Sequence, residues 1–148
     1  MIPFRTQYDK IVGAYLRNEL DPTCCTACFV GNLLNNTYLW SCGRDLITGR
    51  LEEDDFFPLF VVSCRSVKYE SEGTYTAQEV WNLEQIFLKE IGHLRDGRYI
   101  PDKDSIPNYE ERLFKAMEVT LEALRKLHES KGEVVEDYVF NKRELQEV

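Results

Sequence analysis

This sequence lacks most of the features that assign a function on sight. Its longest apolar run, Phe56 to Val62, is short and broken by Pro58, whereas a membrane-spanning helix needs ~18–20 apolar residues. The opening residues, MIPFRTQYDKIVG, hold no apolar core of the kind a secretory leader carries. There is no G-x-x-x-x-G-K-[ST], no G-x-G-x-x-G, no G-x-S-x-G and no H-E-x-x-H. The ready-made phosphate cradle, nucleophile elbow and paired-histidine zinc face are therefore absent. Histidine is scarce, with only His93 and His128 among 148 residues, which thins the supply of neutral-pH acid–base groups. No internal repeat, low-complexity tract or Gly/Ser/Pro-rich linker divides the chain. A single domain over 1–148 is expected, with 141–148 as a frayed tail.

Positive charge is also in short supply. Lys and Arg number 18 against 26 Asp and Glu, for a net charge of −8. Phosphate contacts dominate affinity for duplex DNA, so direct nucleic-acid binding is not expected. Nor does such a surface adhere to an anionic membrane. The balance is uneven: residues 1–50 carry +1 and residues 51–148 carry −9. Cysteine is present in an odd number, five, with Cys24, Cys25 and Cys28 crowded together. Adjacent cysteines make a poor disulfide framework in a chain long enough to build a core, so reduced thiols and a cytoplasmic location are expected.

What remains is a foldable chain, 43% hydrophobic and 30% charged, with strong helical patterns. Tyr8, Ile11, Val12, Tyr15, Leu16 and Leu20 form one apolar stripe. Thr6 and Asp9 resemble a capping box before it, and Asp21-Pro22 ends it. Asp21 and Pro22 then suit the cap and first position of a second helix, Thr23 to Leu34, stopped by Asn35-Asn36. Residues 56–64 read as a helix, with an extended piece near 66–70. Thr76 and Glu79 form a capping box for TAQEVWNLEQIFLKEI, which Gly92 ends. The longest helix follows Pro107 and runs to about Ser130. Its inner stripe is Tyr109, Leu113, Met117, Leu121, Leu124 and Leu127, with Glu111–Lys115 and Glu122–Lys126 pairs outside. Between these helices, Asp96-Gly97 is a hairpin signal. Val134 to Phe140 reads as a short strand. The expected fold is mainly α: a compact helical bundle of four to six helices with one small β-hairpin.

Three constellations could carry chemistry. Cys24, Cys25, Cys28 and Cys42 supply enough thiolates for a zinc site. Cys25 in a first helical turn could instead be a reactive thiol. Against both, Cys24, Cys28 and Gly31 at i, i+4, i+7 make a stripe of small residues suited to close helix packing. On the same helix Asn32 and Asn36, with Trp40 beyond, could read a ligand by hydrogen bonding and stacking. The competing account is a buried amide satisfied by backbone. The hairpin gathers His93, Arg95 and Arg98 into a positive spot for a phosphate, a carboxylate or an acidic partner, unless the arginines pair internally. His128, at i+7 from Leu121, falls at the edge of the long helix's inner stripe.

With no catalytic motif, the sequence favours a small, non-enzymatic, acidic binding or regulatory protein working through protein–protein contacts, with a homo-oligomer as one form of such contact. Trp40, Tyr38, Phe56 and Tyr138 are its candidate interface anchors. No cofactor is required on this reading. The alternatives are a module dependent on zinc at the cysteines or on an anion at the hairpin, and, third, a thiol enzyme using Cys25.

Overall fold

The computed structural model describes residues 1–22, 27–35, 67–68, 71–95, 98–100 and 107–135, and of 93–95 and 98–100 the backbone alone. The helix expected over 56–64 and the aromatics Tyr38, Trp40, Phe56 and Tyr138 lie outside the described residues. So does the expected strand beyond Val135; Val134 and Val135 themselves are in no regular element.

The fold is mainly α. Among the described residues there are four helices, α1 (Phe4–Leu16), α2 (Phe29–Leu33), α3 (Ala77–Ile91) and α4 (Tyr109–Ser130). A two-stranded antiparallel hairpin, β1 (His93–Arg95) with β2 (Arg98–Ile100), joins α3 to α4. Among the described residues no helix is long and apolar enough to cross a membrane.

The pairing of α3 with α4 is the most extensive in the described structure, and both helices start where their caps dictate. The Thr76 hydroxyl accepts from the Glu79 amide at 3.2 Å, and the Glu79 carboxylate accepts from the Thr76 amide at 2.8 Å. Two N–H groups that the helix cannot satisfy are thereby closed. Thr76→Ala is expected to lower stability by about 1 kcal/mol, a fall of about 3–4 °C in Tm. A thermal melt superimposable on wild type would show that the box contributes nothing. Asn108 caps α4 in the same way, accepting from the Glu111 amide at 3.1 Å. The two helices bury Val80, Leu83, Phe87 and Ile91 against Leu113, Met117, Leu121 and Leu124.

Helix α1 lies against α2 and α4. Its start meets the end of α4, where the Glu133 carboxylate accepts from the Phe4 amide at 3.0 Å. Its end meets the start of α4, where the Tyr15 ring packs edge-on to Phe114 at 5.7 Å. The two therefore run antiparallel. Helix α2 is wedged between α1 and α3, with Phe29 against Phe87 at 5.8 Å. Lys10 of α1 closes its C-terminal end by donating to the Leu33 carbonyl at 3.1 Å and to Asn35 Oδ1 at 2.9 Å. Burial lowers the Lys10 pKa, and Glu72 opposes the shift.

Several sequence expectations are corrected. The Thr6–Asp9 capping box is not used: α1 starts three residues earlier behind Pro3, whose carbonyl already accepts from Thr6 and Gln7. Nor does Asp21-Pro22 end α1. Asn18 does, at φ 58, with Glu19 donating back to the Ala14 carbonyl at 2.8 Å; asparagine tolerates this left-handed conformation. The second helix is not continuous from residue 23. Cys28 is extended at ψ −178 and caps a helix of five residues. The Cys24/Cys28/Gly31 spacing is thus not a helical stripe, because Cys28 precedes the helix and its sulfur accepts from the Gly31 amide at 3.2 Å. Asn35 at φ 60 does stop this helix. Residues 67 and 68, expected to be extended, are helical, and a turn follows through Glu72 and Gly73 at φ 53 and 78. On the outside of α4 the charges pair as Lys115 with Glu118, and as Arg125 with both Glu122 and Glu129. The planar arginine fork reaches two carboxylates where a lysine pair was expected.

Candidate functional site

The structure places the sequence-derived candidates as follows. Asn32 is buried, and its amide nitrogen donates to the Glu19, Ala27 and Cys28 carbonyls at 3.1, 2.9 and 3.1 Å. Its work is to tie the turn after α1 to the start of α2. Cys28 is fully buried. Among the described residues no group of three or more His, Cys, Asp or Glu side chains is placed to hold a metal ion. Cys24, Cys25, Cys42, Asn36 and Trp40 lie outside the described residues. The hairpin forms in the register His93↔Ile100, Leu94↔Tyr99, Arg95↔Arg98. It thus gathers positions 93, 95 and 98 into one two-strand unit; their side chains lie outside the described set.

A feature that sequence reasoning missed is a groove of about 350 Å³ between the end of α1 and the start of α4. One wall is Tyr15, Leu16, Asn18, Leu20 and Asp21; the other is Tyr109, Glu110 and Leu113. Each wall follows from local folding. The left-handed turn at Asn18 reverses the chain, so that Leu20 tucks under α1 while Leu16 is left 40% exposed. Across from it, the α4 cap sets Tyr109 and Glu110 in the first turn. Leu20 and Leu113 are buried and Tyr15 is half-buried, which makes an apolar floor. Tyr109 is 38% exposed, with the Arg112 guanidinium 5.7 Å from its ring centre. Burial raises the Tyr15 pKa, and the Glu110 charge raises it further. The lining charges, Asp21 and Glu110, are both acidic. Glu110 also complements the positive end of the α4 dipole. A cavity of apolar floor, tyrosine faces and carboxylates suits a cationic group that carries an aliphatic stem.

A second cluster lies at the opposite end of the α1–α4 pair, and it is sealed. His128 is fully buried, and its Nε2 is 2.7 Å from the Tyr75 hydroxyl. Burial pushes the Tyr75 pKa well above its ordinary value; the nearby Gln7 amide opposes this, while Glu133 and Glu79 reinforce it. The Glu133 carboxylate can only accept, so with its Oε1 3.4 Å from Nδ1 the ring proton belongs on Nδ1, and Nε2 accepts from the Tyr75 hydroxyl. Gln7 is also fully buried and faces Tyr75, but neither of its amide atoms completes a bond of good geometry. Lys131 closes the rim, donating to the Thr74 carbonyl at 2.6 Å and to Glu79 at 2.7 Å. The arrangement resembles a hydroxyl–imidazole–carboxylate relay. Yet Tyr75 is only 3% exposed, so no substrate reaches it in this conformation.

Comparisons of the chain with protein families, with curated proteins and with solved structures find no match.

Proposed function

We propose that this is a non-enzymatic binding or regulatory protein acting through protein–protein contact, and that the groove between α1 and α4 receives a basic segment of its partner. The observation that carries the reading is the groove's lining: two tyrosines, three leucines and two carboxylates, with no basic residue among the described lining residues. Tyrosine faces attract lysine and arginine heads by about 0.5–1 kcal/mol at exposed sites. The leucines accept the aliphatic stems. Asp21 and Glu110 complement the charge, and the net −8 of the chain favours encounter with a basic partner. The groove is of a size for one or two side chains. It suits an anchor residue of a longer contact better than an enclosed metabolite.

The test uses two labelled octapeptides, one alternating arginine with leucine and one alternating glutamate with leucine, followed by fluorescence anisotropy. The basic peptide is expected to bind and the acidic one not. Tyr109→Ala and Glu110→Lys should each weaken binding by about five- to tenfold. Binding should also weaken as salt shortens the Debye length below ~8 Å. Equal binding of both peptides, or basic-peptide binding indifferent to Glu110→Lys, would sink the reading.

A further inference from the structure

We propose that Tyr75, His128 and Glu133 form an acid-released latch that fastens the start of α1 to the end of α4. The inference is independent of the groove, which lies at the other end of the same helix pair. The geometry is a chain of contacts from three separated parts of the sequence. Tyr75, in the segment leading into α3, bonds to His128 in the last turn of α4 at 2.7 Å. His128 meets Glu133 at 3.4 Å, and Glu133 in turn accepts from the Phe4 amide through both oxygens, at 3.0 and 3.1 Å. The Phe4 ring stands edge-on to the imidazole at 5.8 Å, and the Ile2 amide donates to the Thr74 hydroxyl at 2.9 Å. Among the described contacts, the Ile2 and Phe4 amides are thus both held beside the Tyr75–His128 pair.

That imidazole is the group able to change charge at mildly acidic pH. The charged groups around it are Glu133 and Lys131 beyond α4, and Glu79 on α3; α1 presents the Phe4 ring and, beside Tyr75, the neutral Gln7 amide. Burial lowers the His128 pKa below 6.5; Glu133 opposes this, Lys131 reinforces it and Glu79 opposes it. The closed latch therefore prefers the neutral ring. A proton arriving at Nε2 removes the lone pair that accepts from Tyr75 and leaves a charge where no water reaches it. For a group held below its ordinary pKa, the stabilisation is complete above 6.5 and is lost as pH falls from there toward the folded-state value. Acid should thus open the start of α1 while the α3–α4 interior remains closed.

The test is amide hydrogen exchange on the intact chain between pH 7.5 and 5, corrected for intrinsic exchange chemistry, alongside an NMR titration of the His128 ring. The opening constant for Phe4 to Tyr8 is expected to rise below pH 6.5, by at most about tenfold per pH unit, since one proton is taken up. Leu83 and Leu121 should keep their protection. His93→Gln, which removes the only other histidine, should leave this dependence unchanged, and His128→Gln should abolish it. Glu133→Gln keeps an acceptor for Phe4 but removes the charge that favours the imidazolium, so acid should release this variant over a wider span. Flat protection of residues 4–8, a His128 ring titrating above 6.5, loss of protection shared equally by Leu83 and Leu121, or an unaltered span in Glu133→Gln would each overturn the latch.

Discussion

Phe87→Ala is expected to cost about 3–5 kcal/mol, measured by urea denaturation, the largest effect of any single truncation considered for this chain. Phe87 is fully buried in the C-terminal half of α3, and its ring meets Phe29 at 5.8 Å. Removing the ring forfeits the transfer free energy of an aromatic side chain and leaves a cavity between two helices. The loss falls mainly on α2, which is only five residues long. So short a helix has no stability of its own in water and keeps its shape only through its neighbours. Phe29, Val30, Leu33 and Leu34 all depend on this seat, so α2 should loosen before the α3–α4 pair does. Against a total of roughly 5–15 kcal/mol for a natural domain, about a fifth or more would be lost. Ile86→Ala, one residue along and partly exposed, is the control and should stay within about 0.5 kcal/mol of wild type. A Phe87→Ala midpoint as close to wild type as that would show that α2 does not seat on α3.

These energetics follow the line between what the sequence displays and what it hides. Helices α3 and α4 were legible because their instructions are local: a long apolar stripe in each, the Thr76–Glu79 box and Gly92 bounding α3, and Pro107 ahead of α4. The hairpin was legible for the same reason, through Asp96-Gly97. The ends of α1 and the shortness of α2 were not. In both, a backbone choice overrode the pattern, at Asn18 by a left-handed turn and at Cys28 by an extended cap. Neither choice has an energetic signature strong enough to outweigh an unbroken apolar stripe on paper. The groove was hidden for another reason. Tyr15 and Glu110 are ordinary residues on ordinary helices, and only tertiary packing sets them facing. His128 was half-legible. It lies seven residues from Leu121 at the edge of the inner stripe of α4, a placement that suits a surface ring as well as a core-edge one. Its partner Tyr75 is 53 positions away, in a stretch with no periodic signal. Glu133, five residues on, stood just past the helix end, where an acidic residue passes for a solvated one.

Arg112→Met is the second large effect expected, about 2–3 kcal/mol, and it bears on the groove as well as on the fold. Arg112 is 3% exposed, in the first turns of α4. Its Nε donates to the Ile91 carbonyl at 2.9 Å, at the end of α3, and its Nη1 donates to the Pro107 carbonyl at 2.8 Å, just ahead of α4. One guanidinium thus ties together the two ends of the connection that contains the hairpin. Both bonds are charge-assisted, and the Ile91 carbonyl, at the end of α3, has no helical partner of its own. Methionine keeps the volume of the aliphatic stem, so packing is largely conserved. What is lost is the pairing, and the Ile91 carbonyl is left buried without this donor, which is the costlier half of the change. Arg112→Lys should recover only part of the loss, because a point charge cannot span both carbonyls as the planar fork does. The guanidinium also lies 5.7 Å from the Tyr109 ring, so its removal frees a groove wall and should weaken the basic octapeptide along with the fold. Chemical denaturation and peptide anisotropy on the same two variants separate the contributions. A stability loss without a change in peptide affinity would mean that Tyr109 is held by α4 alone. A midpoint within about 0.5 kcal/mol of wild type would mean that the α3–α4 connection does not depend on Arg112.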